Sequence, residues 1–452
     1  MTRPIARWEW GALAGVVTAA LLLRLYALDR IPAVVIHDEC DNLVNIYQIL
    51  HGRGPGFFGI DWKPQPAASI YVVSLAVRSG MSMFSMRIVT ALFSVAALVP
   101  FYLLLRRAIQ APAALLTTGL LATDIWYLHF SRTGWDNVFV CGAAAAAALC
   151  IGDAVAGGRR RDFVWAGVWS AIGAYGYPAG RLILPAVAAT AAGGMLARRT
   201  EARRIAAGLA VAAITALALY LPQVASMWRD WDRFQSRARL VSVLGGDNRQ
   251  KGAPEQMAIV LANFGDKATQ LFADHIPRTS ADFPDRYLRA ADGAFARATV
   301  VLLICGMLLS VTSAPWWRQT WLWWVFLLVL FFGTQALTVG SLNGARGIVF
   351  VPILYLFVGL ALQQIWMVGR RWGRPGAALV IAAVLALSGW TAWQYFQWVQ
   401  SPETLDALQP AIPIAEFPAW QARAYEWTRD RDGFYNLTMW EADKGERRES
   451  GR

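Results

Sequence analysis

Apolar residues occur along the chain in long runs that are separated by short polar segments rich in Arg, Gly and Pro. Each run is close to the roughly 20 residues that a helix needs to cross the hydrocarbon core of a bilayer. The pattern predicts an all-α integral membrane protein with about eleven transmembrane helices. We expect these helices near residues 10–28, 84–105, 112–129, 136–155, 163–178, 181–197, 204–225, 297–313, 319–340, 347–368 and 376–398.

The composition supports a membrane protein over a soluble one. Hydrophobic residues make up 56% of the 452 positions and charged residues 16%, whereas soluble domains carry about 25% charged residues. The 22 Trp residues also suit a bilayer protein, because Trp prefers the membrane–water interface. The four Cys residues have no metal-binding spacing and form no disulfide framework.

The net charge of +12 would suit a nucleic-acid partner, but the distribution of the charge argues against one. The arginines lie in short clusters between apolar runs, which is the positive-inside pattern of cytoplasmic loops. These clusters are Arg106-Arg107, Arg159-Arg160-Arg161, Arg198-Arg199 with Arg203-Arg204, and Arg370-Arg371 with Arg374. The predicted topology therefore places the N-terminus inside and the clusters in the cytoplasm, as in a multi-pass protein of the bacterial inner membrane.

This topology divides the chain into four parts. Residues 1–226 form a transmembrane core that includes a first outward loop, 29–82, with a short apolar helix at 66–81 lying on the outer surface. Residues 227–296 form a large outward loop, 297–398 the C-terminal transmembrane helices, and 399–452 a short outward-facing tail. The first apolar run is interpreted as a retained helix, because it contains Arg24 and lacks a small-residue cleavage site.

The first outward loop opens with an acidic motif, His37-Asp38-Glu39-Cys40-Asp41-Asn42. One interpretation is a solvated acidic loop. The other is a general base at the membrane surface, because partial removal from water raises the pKa of a carboxyl group towards a useful range. The residue types alone leave both open.

Further charged residues lie in the other predicted outward turns. Arg87 heads a span, where it can anchor the helix at the interface, bind a lipid phosphate or hold the acidic motif. Arg132 and Asp136 share a short turn, either as a structural ion pair or as parts of a site. The topology brings one set of charges to a single outer face: Asp38, Glu39, Arg87, Arg132, Asp136, Arg181 and Arg346. Carboxylates mixed with arginines suit an anionic substrate that is attacked by a hydroxyl group.

Four stretches carry a resemblance to a known family. They are Arg24-Leu25-Tyr26 through Pro32 to Asp38-Glu39, then Trp62-Lys63-Pro64-Gln65-Pro66, then Met86-Arg87 through Pro100-Phe101-Tyr102, and His129-Phe130-Ser131-Arg132 with Asn137. In order and spacing they resemble GT-C glycosyltransferases, in the family 39-like branch related to protein O-mannosyltransferases and aminoarabinose transferases. The resemblance covers about residues 20–190 and is weaker around 340–360.

The resemblance implies an inverting glycosyltransferase that uses a polyprenyl-phosphate-linked sugar on the outer side of the membrane. When the family's site residues are assigned to the matching positions of this sequence, Asp38 is the general base and Glu39 is its neighbour. Asp136 is then a second acidic residue of the site. Arg87, Arg132, Arg181 and Arg346 are then candidates for binding the lipid phosphate. Candidates for other substrate contacts are His37, Lys63, Gln65, His129, Tyr177 and Asn343. The expected acceptor is a protein, a lipid or a polysaccharide.

Two other function classes stay open. A non-enzymatic transporter of lipid-linked sugar or polysaccharide is disfavoured, because transporters place charges near the bilayer midplane and often contain inverted repeats. Another polyprenyl-dependent transferase, such as an oligosaccharyltransferase or a ligase, is the second alternative. No cofactor and no catalytic metal are expected, although Asp38, Asp41 and Asp136 could hold a divalent cation.

Overall fold

The computed structural model describes residues 5–61, 64–272, 296–340, 342–402, 411–431 and 435–449. The first nine helices are α1 Arg7–Leu25, α2 His37–Leu50, α3 Ala68–Ser79, α4 Met83–Leu105, α5 Ala111–Thr123, α6 Ile125–Ser131, α7 Phe139–Val155, α8 Arg160–Gly176 and α9 Ile183–Ala197. The remaining ones are α10 Ala202–Arg229, α11 Trp231–Val241, α12 Ala253–Phe272, α13 Arg297–Thr312, α14 Ala314–Phe331, α15 Gly344–Gly347, α16 Val351–Arg371, α17 Gly373–Trp398, α18 Phe417–Asp430 and α19 Leu437–Glu449.

Short turns and two strands complete the fold. The 3-10 turns are Asp136–Val138, Pro178–Leu182, Arg199–Glu201, Gly246–Gln250 and Ile348–Phe350, and a π-helical turn, Phe332–Ala336, follows α14. The strands are β1 Val34–Ile36 and β2 Ala411–Pro413, which pair antiparallel with Val35 opposite Ile412. The predicted all-α membrane fold is therefore confirmed, with this small sheet joining the first loop to the tail.

Eight helical segments of the described chain are long and apolar enough to cross a bilayer. Three predicted spans correspond instead to shorter helices: α5, α8 and α13 have 13, 17 and 16 residues. The span expected over 112–129 is interrupted at Asp124, whose carboxylate accepts a hydrogen bond from the Tyr127 amide and starts α6. The Tyr355 hydroxyl donates to the same carboxylate and ties α6 to α16. The total of eleven spans stays a prediction.

Burial separates central helices from peripheral ones. In α16, 89% of the most apolar stretch is buried, whereas the corresponding share in α1 and in α10 is 22%. The peripheral helices expose large apolar side chains, among them Leu217 and Leu221 of α10 and Leu385 of α17. A contiguous apolar surface of this kind needs a lipid environment. The chain is therefore a multi-pass membrane protein.

The first loop and the C-terminal tail fold together at one end of the bundle, which we call the first-loop end. The loop contains β1, α2 and α3, and α18 of the tail packs on α2. The Tyr425 ring meets the Tyr47 ring edge to face with centroids 5.3 Å apart, and the Tyr425 carbonyl lies 3.1 Å from a ring nitrogen of His51. The tail, predicted only as polar and outward-facing, is thus part of the framework around the acidic motif.

The second long loop is anchored at its helix α12. The Lys267 ammonium donates to the carbonyls of Gln335 and Thr338, at 2.8 and 2.5 Å, and the Asn263 amide donates to the Ala336 carbonyl at 2.6 Å. Gln270 accepts the amide of Leu342 at 2.6 Å. These bonds fix α12 on the end of α14, next to the turn that carries Arg346.

Candidate active site at the first-loop end

The acidic motif forms the first turn of α2 and is buried. Asp38 is 6% exposed and Glu39 is 0% exposed. Glu39 closes the helix start, because its carboxylate accepts the backbone amide of Ile36 at 3.2 Å. The first turn of a helix also favours negative charge, since its unpaired amides point towards it. The interpretation as a solvated acidic loop is therefore wrong.

Glu39 and Arg87 form a buried ion pair. The Arg87 guanidinium donates to both carboxylate oxygens of Glu39, at 3.0 and 3.3 Å. It also donates to the backbone carbonyls of Leu28, Pro32 and Val34. These five bonds use the donors of the side chain. Of the three roles considered for Arg87, the environment fits holding the acidic motif, whereas binding a lipid phosphate does not fit.

The turn after α6 is locked to the same motif. The Gly134 amide donates to Glu39 at 2.6 Å, and the Asn42 amide group donates to the Gly134 carbonyl at 3.2 Å. A Cβ atom at Gly134 would lie 2.6 Å from the terminal methyl carbon of Met86, so glycine allows this close approach. The position of α2 is therefore determined jointly by α4 and by the 132–138 turn.

Arg132 is fully buried and bound to backbone oxygens. It donates to the carbonyls of Leu23, Arg24, Tyr26 and Ile31. Cations commonly satisfy the last carbonyls of a helix in this way. Arg132 thus caps the end of α1 and the loop that leads to the acidic motif. Neither the ion pair with Asp136 nor a phosphate-binding role fits this environment.

Asp136 is held at the same end by a different element. The Ser69 hydroxyl of α3 donates to its carboxylate at 2.5 Å. The Asp136–Val138 turn packs against the Ile348–Phe350 turn. The adjacent Trp135 ring meets the Tyr177 ring, with centroids 6.3 Å apart. Asp136 and Tyr177 thus lie in neighbouring segments at this end.

Arg181 and Arg346 have more open surroundings. The turn that carries Arg181 packs against α15, which carries Arg346, and both side chains are partly exposed. The Arg181 guanidinium lies over the Phe234 ring at 4.9 Å. Its Nε and Nη2 atoms have no hydrogen-bond partner among the described residues. These two nitrogens are buried and unsatisfied, so an anion that entered beside them would supply the missing acceptor.

The remaining predicted substrate contacts divide by environment. His37 is partly exposed and lies 3.3 Å from the Asp41 carboxylate. The Gln65 amide donates to Asp61 within the first loop, and the Asn343 side chain caps α15 by accepting the Arg346 amide. Lys63 lies outside the described residues.

His129 does not fit a substrate contact. It is fully buried, and its ring packs 5.1 Å from Phe130 and 5.2 Å from Trp398 between centroids. In the structure α6 packs against α17. The sequence did not predict that His129 would be buried there, because the residues on both faces of this short helix are apolar.

Two parts of the site were not predicted. Ser69 lies in an apolar run and carries no local signal for its bond to Asp136. The tail residue Tyr425 is almost 400 positions from Tyr47 in sequence, and only the fold brings them together. Among the described residues no three His, Cys, Asp or Glu side chains form a group suited to a metal ion, and this includes Asp38, Asp41 and Asp136.

Residues 64–228 match the family model described as dolichyl-phosphate-mannose-protein mannosyltransferase. Comparison with curated protein sequences gave no match. The matched segment begins in the first loop and ends with α10. It includes Arg87, Arg132, Asp136 and Arg181, and leaves out the acidic motif itself.

Two solved structures share the fold over nearly the whole chain. One is the oligosaccharyltransferase AglB of Archaeoglobus fulgidus in complex with an inhibitory peptide and a dolichol-phosphate. It has a TM-score of 0.56 at 14% identity, covering 95% of this chain and 61% of that one. The other is ArnT of Cupriavidus metallidurans bound to undecaprenyl phosphate, with a TM-score of 0.55 at 15% identity, covering 94% and 74%. The chain thus spans 61% of the length of the archaeal protein.

Proposed function

Because the chain has the fold of the GT-C superfamily, as its sequence resemblance predicted, we propose that it is a membrane glycosyltransferase. It would transfer a sugar from a polyprenyl-phosphate-linked donor to a hydroxyl group of an acceptor. The observation that carries this proposal is the pairing of two environments at one end of the bundle. A buried carboxylate motif is held in place by arginine, and two further arginines lie partly exposed on turns at the same end.

Asp38 is the proposed general base. The attacking hydroxyl loses its proton to the Asp38 carboxylate while its oxygen bonds to the anomeric carbon of the sugar. The bond from that carbon to the phosphate oxygen breaks on the opposite face, so the configuration inverts. Glu39 and Arg87 would act as positioning residues, since their ion pair fixes the first turn of α2.

Arg181 and Arg346 are the proposed phosphate ligands. The leaving lipid phosphate takes the electron pair of the broken bond and gains negative charge. Fixed cations stabilise such charge in the transition state, and arginine can bind two phosphate oxygens at once. Arg87 and Arg132 are removed from this role, because both are fully buried and their terminal nitrogens are bound to the chain.

Asp136 is proposed to orient the acceptor or the sugar. Its carboxylate is fixed by Ser69, and the adjacent Trp135 ring meets Tyr177, which precedes the turn that carries Arg181. No catalytic metal or other cofactor is proposed. A divalent cation requirement would show as loss of transfer after treatment with a chelator and its recovery on addition of Mg²⁺ or Mn²⁺.

The second long loop is proposed to select the acceptor, which is a protein, a lipid or a polysaccharide. The anchored α12 places this loop beside Arg346. The proposed location is the bacterial inner membrane with the first-loop end on the extracytoplasmic side. A cysteine introduced at the exposed position 29 would then react with an impermeant maleimide added outside intact cells.

The test of the function is transfer by purified protein in liposomes supplied with a panel of polyprenyl-phosphate hexoses and pentoses. Asp38→Asn should reduce the rate by about 10²–10⁴-fold, the usual contribution of a general base. Asp29→Asn, a change at the 53% exposed side chain of the same loop, is the matched control and should leave the rate unchanged. Full activity of a correctly folded Asp38→Asn protein would refute the assignment.

A further inference from the structure

A second charged region lies at the opposite end of the bundle, in a cavity of about 920 Å³. The cavity lies between the C-terminal ends of α4, α7 and α16 and the N-terminal ends of α1, α5 and α14. Arg87 is near the start of α4, and Arg106 and Arg107 follow its end. At 1.5 Å per residue these positions are about 28 Å apart along the helix, close to the thickness of the hydrocarbon core.

The walls of this cavity carry an excess of positive charge. Five arginines and two carboxylates line it, which leaves a net charge of +3; the seven residues are Arg106, Arg107, Arg198, Arg318, Arg370, Glu9 and Asp153. Both carboxylates are already bonded. Arg106 lies 2.7 Å from Glu9, and Arg107 lies 2.6 Å from Asp153.

Arg318 and Arg370 differ from these paired arginines. Within the part of the chain that the structure describes, neither side chain forms an ion pair or a hydrogen bond. They come from different helices, Arg318 from α14 and Arg370 from the last turn of α16. Two unpaired guanidinium groups that face one cavity form a site for an anion with several oxygens, such as a phosphate.

The rest of the lining is apolar, and it indicates what carries the phosphate. Leu149 and Leu322 line the cavity beside the Trp8 and Trp321 rings. Trp at this depth is typical of the membrane–water interface. Basic pockets between transmembrane helices bind the headgroups of anionic lipids. A soluble anion would use the arginines and leave the apolar wall without a role.

We propose that this cavity is a binding site for the phosphate headgroup of an anionic membrane phospholipid, held by Arg318 and Arg370. The site is separate from the first-loop end and does not depend on the proposed transfer reaction. Its occupant would join α14 to α16 and to the N-terminal end of α1, which meet at this cavity.

The test is equilibrium binding of a headgroup-labelled phosphatidylglycerol to the purified full-length protein in detergent. Arg318→Gln combined with Arg370→Gln should weaken binding by about tenfold or more, since each basic residue near a lipid headgroup contributes about 1 kcal/mol. Arg371→Gln combined with Arg374→Gln is the matched control. It removes the same charge from exposed positions at this end that do not line the cavity, and should bind as the unchanged protein does.

Three results would overturn the proposal. Equal weakening in both double variants would mean that the lipid responds to general surface charge. Equal affinity for a labelled phosphatidylcholine would show that the anionic headgroup is not recognised. Displacement of the lipid by inorganic phosphate at a similar concentration would assign the arginines to a soluble anion instead. Matching size-exclusion profiles of the variants exclude misfolding as the cause of weaker binding.

Discussion

Two pairs of arginines at the first-loop end have the same charge and opposite surroundings. Arg87 and Arg132 are fully buried. The donors of Arg87 and the two terminal nitrogens of Arg132 are bound to Glu39 and to seven backbone carbonyls. Arg181 and Arg346 are partly exposed on neighbouring turns, and two nitrogens of Arg181 have no hydrogen-bond partner among the described residues. The first pair builds the framework of the acidic motif. The second pair lies partly exposed, and the unsatisfied nitrogens of Arg181 favour a substrate role.

This difference shows why position on one face of a membrane protein does not define a function. A buried guanidinium is tolerated only when carbonyls and carboxylates replace its water, so its donors are used within the protein. A partly exposed guanidinium keeps part of its surface open to a substrate anion. The two pairs should therefore respond differently to the same substitution.

The largest expected effect is on stability, from Arg87→Gln. The change leaves the Glu39 carboxylate buried without its cation, which typically costs about 3–5 kcal/mol. We expect a large fall in the thermal unfolding temperature and in the yield of monodisperse protein. Adding Glu39→Gln should recover part of the loss, because the two residues interact directly. If the Arg87→Gln protein were stable and had lost only donor binding, Arg87 would have a substrate-binding role like the one proposed for Arg181 and Arg346.

A smaller effect is expected from weakening the contact between the tail and β1, the strand that precedes the acidic motif. Ile412 is buried and pairs with Val35, three residues before Asp38. Ile412→Ala should destabilise the docked tail by about 2–3 kcal/mol, within the usual range for a buried Ile. Proteolysis of the tail should become faster and the transfer rate should fall several-fold. Ile414→Ala, at a partly exposed position, should have a smaller effect. An unchanged transfer rate in Ile412→Ala would place the tail outside the framework.

The open pair should affect donor binding rather than stability. Arg181→Gln and Arg346→Gln should each weaken binding of a polyprenyl phosphate by about tenfold, the usual range for a hydrogen bond to a charged group. The unfolding temperature should stay close to that of the unchanged protein, because neither side chain is fully buried. Unchanged affinity in both variants would show that Arg181 and Arg346 do not bind the phosphate.

The last effect, which is spread over a range of pH, concerns the loop beside Arg346. Burial, together with the nearby Arg346 charge, lowers the pKa of Lys267 to about 7 from its ordinary 10.5. Between these two values the folded protein binds fewer protons at this group than the unfolded chain does. Its stability should therefore rise with pH, by at most about 1.4 kcal/mol per pH unit.

Thermal unfolding of the unchanged protein and of Lys267→Met between pH 7 and pH 9 checks this prediction. As the pH rises, the unfolding temperature of the unchanged protein should increase relative to that of Lys267→Met. A constant difference over this range would show that Lys267 stays charged when folded, held by the carbonyls of Gln335 and Thr338.

Much of the fold was predictable because a bilayer imposes long apolar runs and arginine clusters on a sequence. The same rule did not predict the break at Asp124, where a single polar residue ends one helix and caps the next. The acidic motif was recognised by residue type and by resemblance. Its burial was not, because the tail, Arg87 and Gly134 that enclose it come from three distant segments.

The sequence by itself determined that the chain crosses a membrane many times and that carboxylates and arginines gather at the ends of its helices. Hydrophobic length and charge placement are local properties, so the order of residues specifies them. Only the tertiary structure decided which arginines are buried among backbone carbonyls and which stay partly exposed. That division depends on which carbonyls and carboxylates lie within about 3 Å of each guanidinium, and Leu23 meets Arg132 across more than 100 positions of the chain.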